Sequence, residues 1–77
     1  MEIEIISFGK IAEFIENQKI LVEGIADTDA FDTFLQKKFP QLQHIKYRLA
    51  LNKKLVQENT KFGDKAIIAI MPPFSGG

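Results

Sequence analysis

Residues 2–8, Glu2-Ile3-Glu4-Ile5-Ile6-Ser7-Phe8, are rich in isoleucine and partly alternate between polar and apolar. This pattern predicts a first strand, ended by Gly9. Ile11, Phe14 and Ile15 then fall at helical spacing and predict a short helical turn covering the sheet over residues 10–16. Residues 19–25 predict a second strand, entered through Asn17-Gln18. Asp27-Thr28-Asp29 carries the signals of a helix start. Thr28 is suited to accept from the free N–H groups of the first turn, and Asp29 is favourable near the positive helix end. Phe31, Phe34, Leu35 and Phe39 form one apolar helix face, while Asp32, Thr33, Gln36 and Lys37 form the opposite one. Pro40 cannot continue the helix without losing a hydrogen bond, which places its end near Phe39.

Beyond the helix, residues 47–51 alternate, with Tyr47, Leu49 and Leu51 on one face. Asn52-Lys53-Lys54 predicts a tight turn because Asn tolerates positive φ, and Leu55-Val56 a brief return strand. Residues 58–64 are polar; Phe62 pins them to the core and Gly63-Asp64 signals a turn. Ala66–Met71 is apolar on both faces and predicts an interior strand. The order is ββαβββ, with the first and last strands in the middle of the sheet. These features predict an α+β fold of the β-grasp, or ubiquitin-like, kind: a mixed sheet of about five strands with one main helix packed across it.

Composition narrows the functional classes. At 77 residues the chain makes one domain. It has no cysteine, which excludes disulfides and zinc–thiolate sites, and the lone His44 cannot build a histidine metal cluster. No metal site is expected. Ten basic and ten acidic residues cancel, so nothing in the charge calls for nucleic acid or anionic lipid as a partner. No apolar run approaches the ~20 residues needed to span a bilayer. Acids rather than bases follow Met1, unlike a signal peptide. The expectation is a soluble, cytoplasmic protein.

The ending Met71-Pro72-Pro73-Phe74-Ser75-Gly76-Gly77 adds candidate chemistry. Two consecutive prolines cannot donate to a sheet ladder and favour an extended backbone, so they should lift the following residues off the body. The chain therefore divides into a domain over residues 1–71 and an extended reactive tail over residues 72–77. Terminal glycines contribute no packing, and fraying is the bland reading. The chemical reading is stronger. A terminal carboxylate becomes an acyl donor once activated, for example as an acyl-adenylate. Glycine lets the backbone pass through a narrow channel and leaves its carbonyl open to nucleophiles. Sulfur attacking the adenylate gives a C-terminal thiocarboxylate. With no cysteine to hold a persulfide, Gly77 is the reasonable place for sulfur on this chain.

Two segments resemble the MoaD/ThiS family of sulfur carriers. Gly63-Asp64 followed by Ile67-Ile68-Ala69-Ile70-Met71-Pro72-Pro73-Phe74-Ser75-Gly76-Gly77 is similar to the family's "DGDEVAFFPPVSGG" ending. Leu49-Ala50-Leu51-Asn52-Lys53-Lys54-Leu55-Val56 is similar to its "AVNxxxV" strand pair, and Thr28-Asp29-Ala30-Phe31 fits the start of its long helix. The paired prolines point to the molybdopterin synthase small subunits, since thiamine-type carriers usually lack them. Met71, Phe74 and Lys65 depart from the usual Phe, Val and acid. The resemblance implies that Gly77 is adenylated with ATP and magnesium by a ubiquitin-activating-like (MoeB-like) enzyme and converted to a thiocarboxylate. The tail, Pro72 to Gly76, then inserts into the synthase large subunit (MoaE-like) and delivers sulfur to cyclic pyranopterin monophosphate, building the molybdopterin dithiolene. It further implies a heterotetrameric synthase, no cofactor bound to the carrier itself, and no catalysis by the carrier alone.

Other residues read more plainly. Phe74 is an anchor for a partner pocket, because aromatic anchors dominate interface energetics. Ser75 adjusts backbone hydrogen bonding and has no histidine near it in sequence to make it a nucleophile. His44 belongs to a loop or surface, and Lys53-Lys54 to a solvated turn. Phe8 is suited equally to the core and to a partner-facing patch. Three alternative functions stand beside the leading one: a sulfur carrier for thiamine or tRNA thiolation, a ubiquitin-like protein modifier, and an interaction module with an unreactive tail.

Overall fold

The computed structural model describes residues 1–73. Five strands form one mixed sheet: β1 (Glu2–Ser7), β2 (Gln18–Leu21), β3 (Arg48–Leu51), β4 (Lys54–Leu55) and β5 (Ala66–Met71), in the order β2-β1-β5-β3-β4. The central pair β1 and β5 is parallel, and every other pairing is antiparallel. One α-helix, α1 (Thr28–Lys38), supplies the crossover from the β1–β2 hairpin to the other side of the sheet. This is the β-grasp arrangement that the order of hydrophobic segments predicts.

Alternation along the central strands builds the core. Ile3 and Ile5 of β1 sit beside Ile68 and Ile70 of β5 on the inner face, all fully buried. Phe31 and Leu35 from α1 are also fully buried and close over them. Each such side chain contributes about 1.5–3 kcal/mol on full burial. Phe31 stacks on Phe34, ring centroids 5.7 Å apart, and meets Phe62 edge-on at 6.0 Å. Phe62 thus pins its polar segment as expected.

Several boundaries differ from the sequence reading: the short helix is a 3-10 helix over Gly9–Glu13, β3 starts one residue later at Arg48, and β4 is Lys54–Leu55. The second strand stops at Leu21 instead of residue 25. Val22 still exchanges hydrogen bonds with Met1, but Gly24 then turns the chain at φ 73°. The helix cap is Asp27, whose side chain accepts from the Ala30 N–H at 2.9 Å, and not Thr28. Thr28 is buried inside the first turn, and its hydroxyl accepts from the Thr60 N–H at 2.9 Å. Residues after Pro40 form a 3-10 helix, Pro40–His44, that buries Leu42; proline is well placed at its start because its missing N–H has no helical partner to lose.

Polar side chains finish what the strands begin. Asn59 Oδ1 accepts from the Asp29 N–H at 2.9 Å, and Thr60 O accepts from the Thr28 N–H at 2.9 Å. The polar segment around residue 60 therefore clamps the helix start. The β3–β4 hairpin turns on Asn52 (φ 49°) and Lys53 (φ 75°), the two positive-φ positions that a two-residue turn of right-handed twist demands. Asn52 Oδ1 then accepts from the Ile67 N–H at 2.9 Å and extends the ladder into β5.

Candidate functional site

The tail begins where the central strand stops. β5 is hydrogen-bonded on both sides until Met71, which pairs with Arg48. Pro72 has no N–H to continue either ladder, so the strand ends in the middle of the sheet's upper edge. Pro72 is half-buried, and Pro73 is exposed. Phe74, Ser75, Gly76 and Gly77 lie outside the described residues.

The first turn after β1 forms the floor beneath Pro72. Phe8 donates its N–H to Ile70 O at 3.0 Å, which carries the parallel pairing one step past β1. Gly9 follows at φ 60°, in the left-handed region that favours glycine. A Cβ at Gly9 would stand 2.9 Å from Pro72 Cγ and 3.3 Å from Cδ. The proline ring therefore rests on bare backbone.

The sheet face opposite α1 carries an apolar band, bordered by Glu4 beside Ile67 and by Arg48 beside Met71. Ile6 pairs with Ala69, Ala69 with Ala50, and Ala50 with Leu55, so four apolar residues form one row across four strands. Ile67 and Met71 flank that row on β5. Phe8, extended at the end of β1, continues the outward alternation. Phe8 is 50% exposed, Leu55 41% and Ile67 38%. Phe8 is thus not a core residue. The sequence reading of β5 as apolar on both faces holds, but among the described residues only one face is fully covered. A contiguous apolar surface of this kind marks an interaction site.

On the helix side, a cleft of about 620 Å³ opens beneath Pro73 between α1 and β3. Asp29, Asp32, Gln36, Tyr47, Arg48 and Glu58 supply its polar lining. The Tyr47 hydroxyl donates to Asp32 Oδ1 and accepts from Gln36 Nε2 at 3.0 Å. Burial, with the Asp32 hydrogen bond behind it, pushes the Tyr47 phenol up to about 12. Tyr47 is therefore protonated at neutral pH and joins helix to sheet rather than moving protons.

The ThiS family model matches residues 5–77, nearly the whole chain. The chain belongs to the ThiS family. Among solved structures, it is similar to a chain in the protein–protein complex of subunits 1 and 2 of molybdopterin-converting factor from Helicobacter pylori 26695. The identity is 30%, the TM-score is 0.72, and the match covers 100% of both chains. The β-grasp fold and the sulfur-carrier family are thereby shown together.

Within this ThiS-family chain, the sequence-predicted tail divides at residue 73. The structure places Pro72 and Pro73 at the sheet edge beside Gly9 and the cleft; Phe74 to Gly77 remain readings of the sequence. His44 is exposed in the 3-10 helix, as expected for a surface position. Among the described residues, no helix is long and apolar enough to cross a membrane. Sequence reasoning missed Gly9 as part of the site, using it only as a strand terminator. A glycine directly after a strand gives the signal for a special backbone angle, but the approach of Pro72 to it spans 63 positions and has no local trace.

Proposed function

We propose that this chain is the sulfur-carrier subunit of a molybdopterin synthase, with Gly77 as the carrier atom's site. The observation that carries the reading is the end of β5. A strand held on both sides at the centre of the sheet is stopped by Pro72-Pro73, and Phe74-Ser75-Gly76-Gly77 follow. The rigid body supplies a fixed point, and a narrow, Gly-ending peptide supplies the reactive terminus. The likeness at 30% identity to a chain seen in a two-subunit molybdopterin-converting factor supports this assignment over thiamine or tRNA thiolation. The double proline supports it as well.

In this reading the Gly77 carboxylate attacks the α-phosphorus of ATP, magnesium aiding the loss of pyrophosphate on the adenylating partner. Sulfide then attacks the acyl carbon, the acyl–phosphate bond breaks, and AMP leaves. The product is a thiocarboxylate at Gly77. In the synthase complex the tail enters the large subunit, which supplies the proton transfers, and sulfur passes to cyclic pyranopterin monophosphate. The open face bearing Ile6, Phe8, Ile67, Ala69 and Met71 seats the partner, so that the tail root is held while the terminus reacts. Apolar anchors packed at the centre of such a contact carry most of its energy.

Intact-mass analysis tests the reading directly. Incubated with ATP, magnesium, a sulfur donor and a cognate adenylating enzyme, the chain should gain the mass difference of one oxygen exchanged for one sulfur. A chain lacking Gly77 should gain nothing and should fail to convert the pterin precursor with the large subunit. Sulfur loading without pterin conversion would assign the chain to another thiolation pathway. Gly-Gly remnants on lysines of other proteins would assign it to protein modification.

A further inference from the structure

We propose that Gly9 is the seat of the tail: the missing side chain at residue 9 lets the Pro72 ring close onto the turn after β1, and this contact sets the direction in which the C-terminal residues leave the body. The inference rests on the reading above that the terminus is delivered into partner active sites. It assigns Gly9 as a positioning residue, distant from the reacting carbonyl.

Three observations carry it. A Cβ at Gly9 would lie 2.9 Å from Pro72 Cγ, well inside the 3.4–4 Å of ordinary van der Waals contact. The atoms it would meet belong to a ring closed on the backbone nitrogen. That ring cannot rotate away as a free side chain does, so the backbone of Pro72 itself would have to move. On the near side of the contact, the Phe8 N–H to Ile70 O bond at 3.0 Å and the parallel pairing of β1 with β5 hold both strands in place. The clash is therefore relieved at the Gly9 turn or at Pro72, the residue at which the chain leaves the sheet.

Gly24 provides a control within the same molecule. Its φ of 73° matches the 60° of Gly9, yet a Cβ there would have nothing within 4 Å. Gly24→Ala therefore carries the same backbone strain without touching the tail. Any effect of Gly9→Ala beyond that of Gly24→Ala belongs to the Pro72 contact.

The experiment compares the full-length wild type, Gly24→Ala, Gly9→Ala, Pro72→Ala and the double variant Gly9→Ala/Pro72→Ala. Sulfur loading by the adenylating enzyme is followed by intact mass over a range of carrier concentrations, and urea midpoints are measured alongside. Gly9→Ala should lose at least as much stability as Gly24→Ala, because it adds the Pro72 clash to the same left-handed backbone strain. Gly9→Ala alone should lower kcat/KM for loading by about tenfold to a hundredfold, the penalty for an ångström-scale misplacement of a reacting group. The double variant should recover to the level of Pro72→Ala, because the atoms that clash are gone. Equal loading of Gly9→Ala and Gly24→Ala would overturn the inference, as would failure of the double variant to recover. A nuclear Overhauser contact between Gly9 Hα and Pro72 Hγ reads the seat with no enzyme present. It should appear in wild type and Gly24→Ala and vanish in Gly9→Ala; its absence from wild type would also overturn the seat. A wild type that shows the contact but takes no sulfur would remove the functional reading and leave the seat standing.

Discussion

The two faces of β5 differ in what they have to satisfy. Ile68 and Ile70 are fully buried beneath α1, while Ile67, of the same residue type and on the same strand, is 38% exposed. Strand alternation alone divides them. The inner face is committed to the fold, because Phe31, Leu35, Ile3 and Ile5 share its buried cluster. The outer face gains little from being apolar in the isolated chain. Its row Ile6, Ala69, Ala50 and Leu55 and the neighbouring Phe8 make sense as a surface that another protein covers. A strand that is apolar on both faces can therefore belong to two interiors, one of its own chain and one of an assembly.

The strongest way to break this comparison is a matched truncation. Ile68→Ala should cost about 2–5 kcal/mol, since it removes a fully buried side chain and leaves a cavity. Ile67→Ala should stay within about 1 kcal/mol, because most of the effect requires full burial. Urea unfolding of the two variants checks the contrast, and equal losses would end the distinction between the faces. The next largest effect tests the outer face as an interface. Ile67→Lys should weaken binding to the synthase large subunit by about tenfold or more, by placing a charge in the apolar contact. Its urea midpoint should remain close to that of wild type. Calorimetric titration gives the affinity, and an unchanged value would move the docking surface elsewhere.

Much of this architecture is legible in the sequence because its signals are local. The four-residue apolar stripe of α1, the stop at Pro40 and the positive-φ turn at Asn52 all depend on residues within a few positions of one another. The central placement of β1 and β5 follows from their being the most apolar runs. What the sequence reading misses depends on contacts between distant segments. Thr28 looks like a cap because its local chemistry fits, yet Thr60 occupies its hydroxyl and Asp27 takes the cap instead. Nothing near residue 28 announces that partner. The division of β5 into covered and open faces is likewise invisible in Ala66–Met71 alone, because only the placement of α1 decides it. The strand stop at Pro72-Pro73 was legible in the sequence, while the approach of Pro72 to Gly9 was not.

The helix that covers the inner face supplies the third test. Asp27→Ala removes the side chain that caps α1 and should cost about 0.5–2 kcal/mol. Thr28→Ala should also destabilise, though as a lost clamp to residue 60 and not as a lost cap. The combined variant shows whether the two act as one unit. Additive urea losses would separate cap from clamp; a shortfall would show that Asn59, which touches both, couples them.

The smallest effect lies at the polar rim of the inner face and is silent at neutral pH. Tyr47 holds its proton more tightly in the folded chain, with a pKa raised from 10.0 to about 12 by burial first and the Asp32 hydrogen bond second. As pH rises, the unfolded chain releases this proton first. The stability that Tyr47 contributes is therefore fully present below pH 10.0 and is lost between there and about 12. The informative quantity is the difference between wild type and Tyr47→Phe. The wild type should lose urea stability more steeply across that window. Parallel curves for the two proteins would mean that the Tyr47 proton is held no more tightly in the folded chain than in the unfolded one.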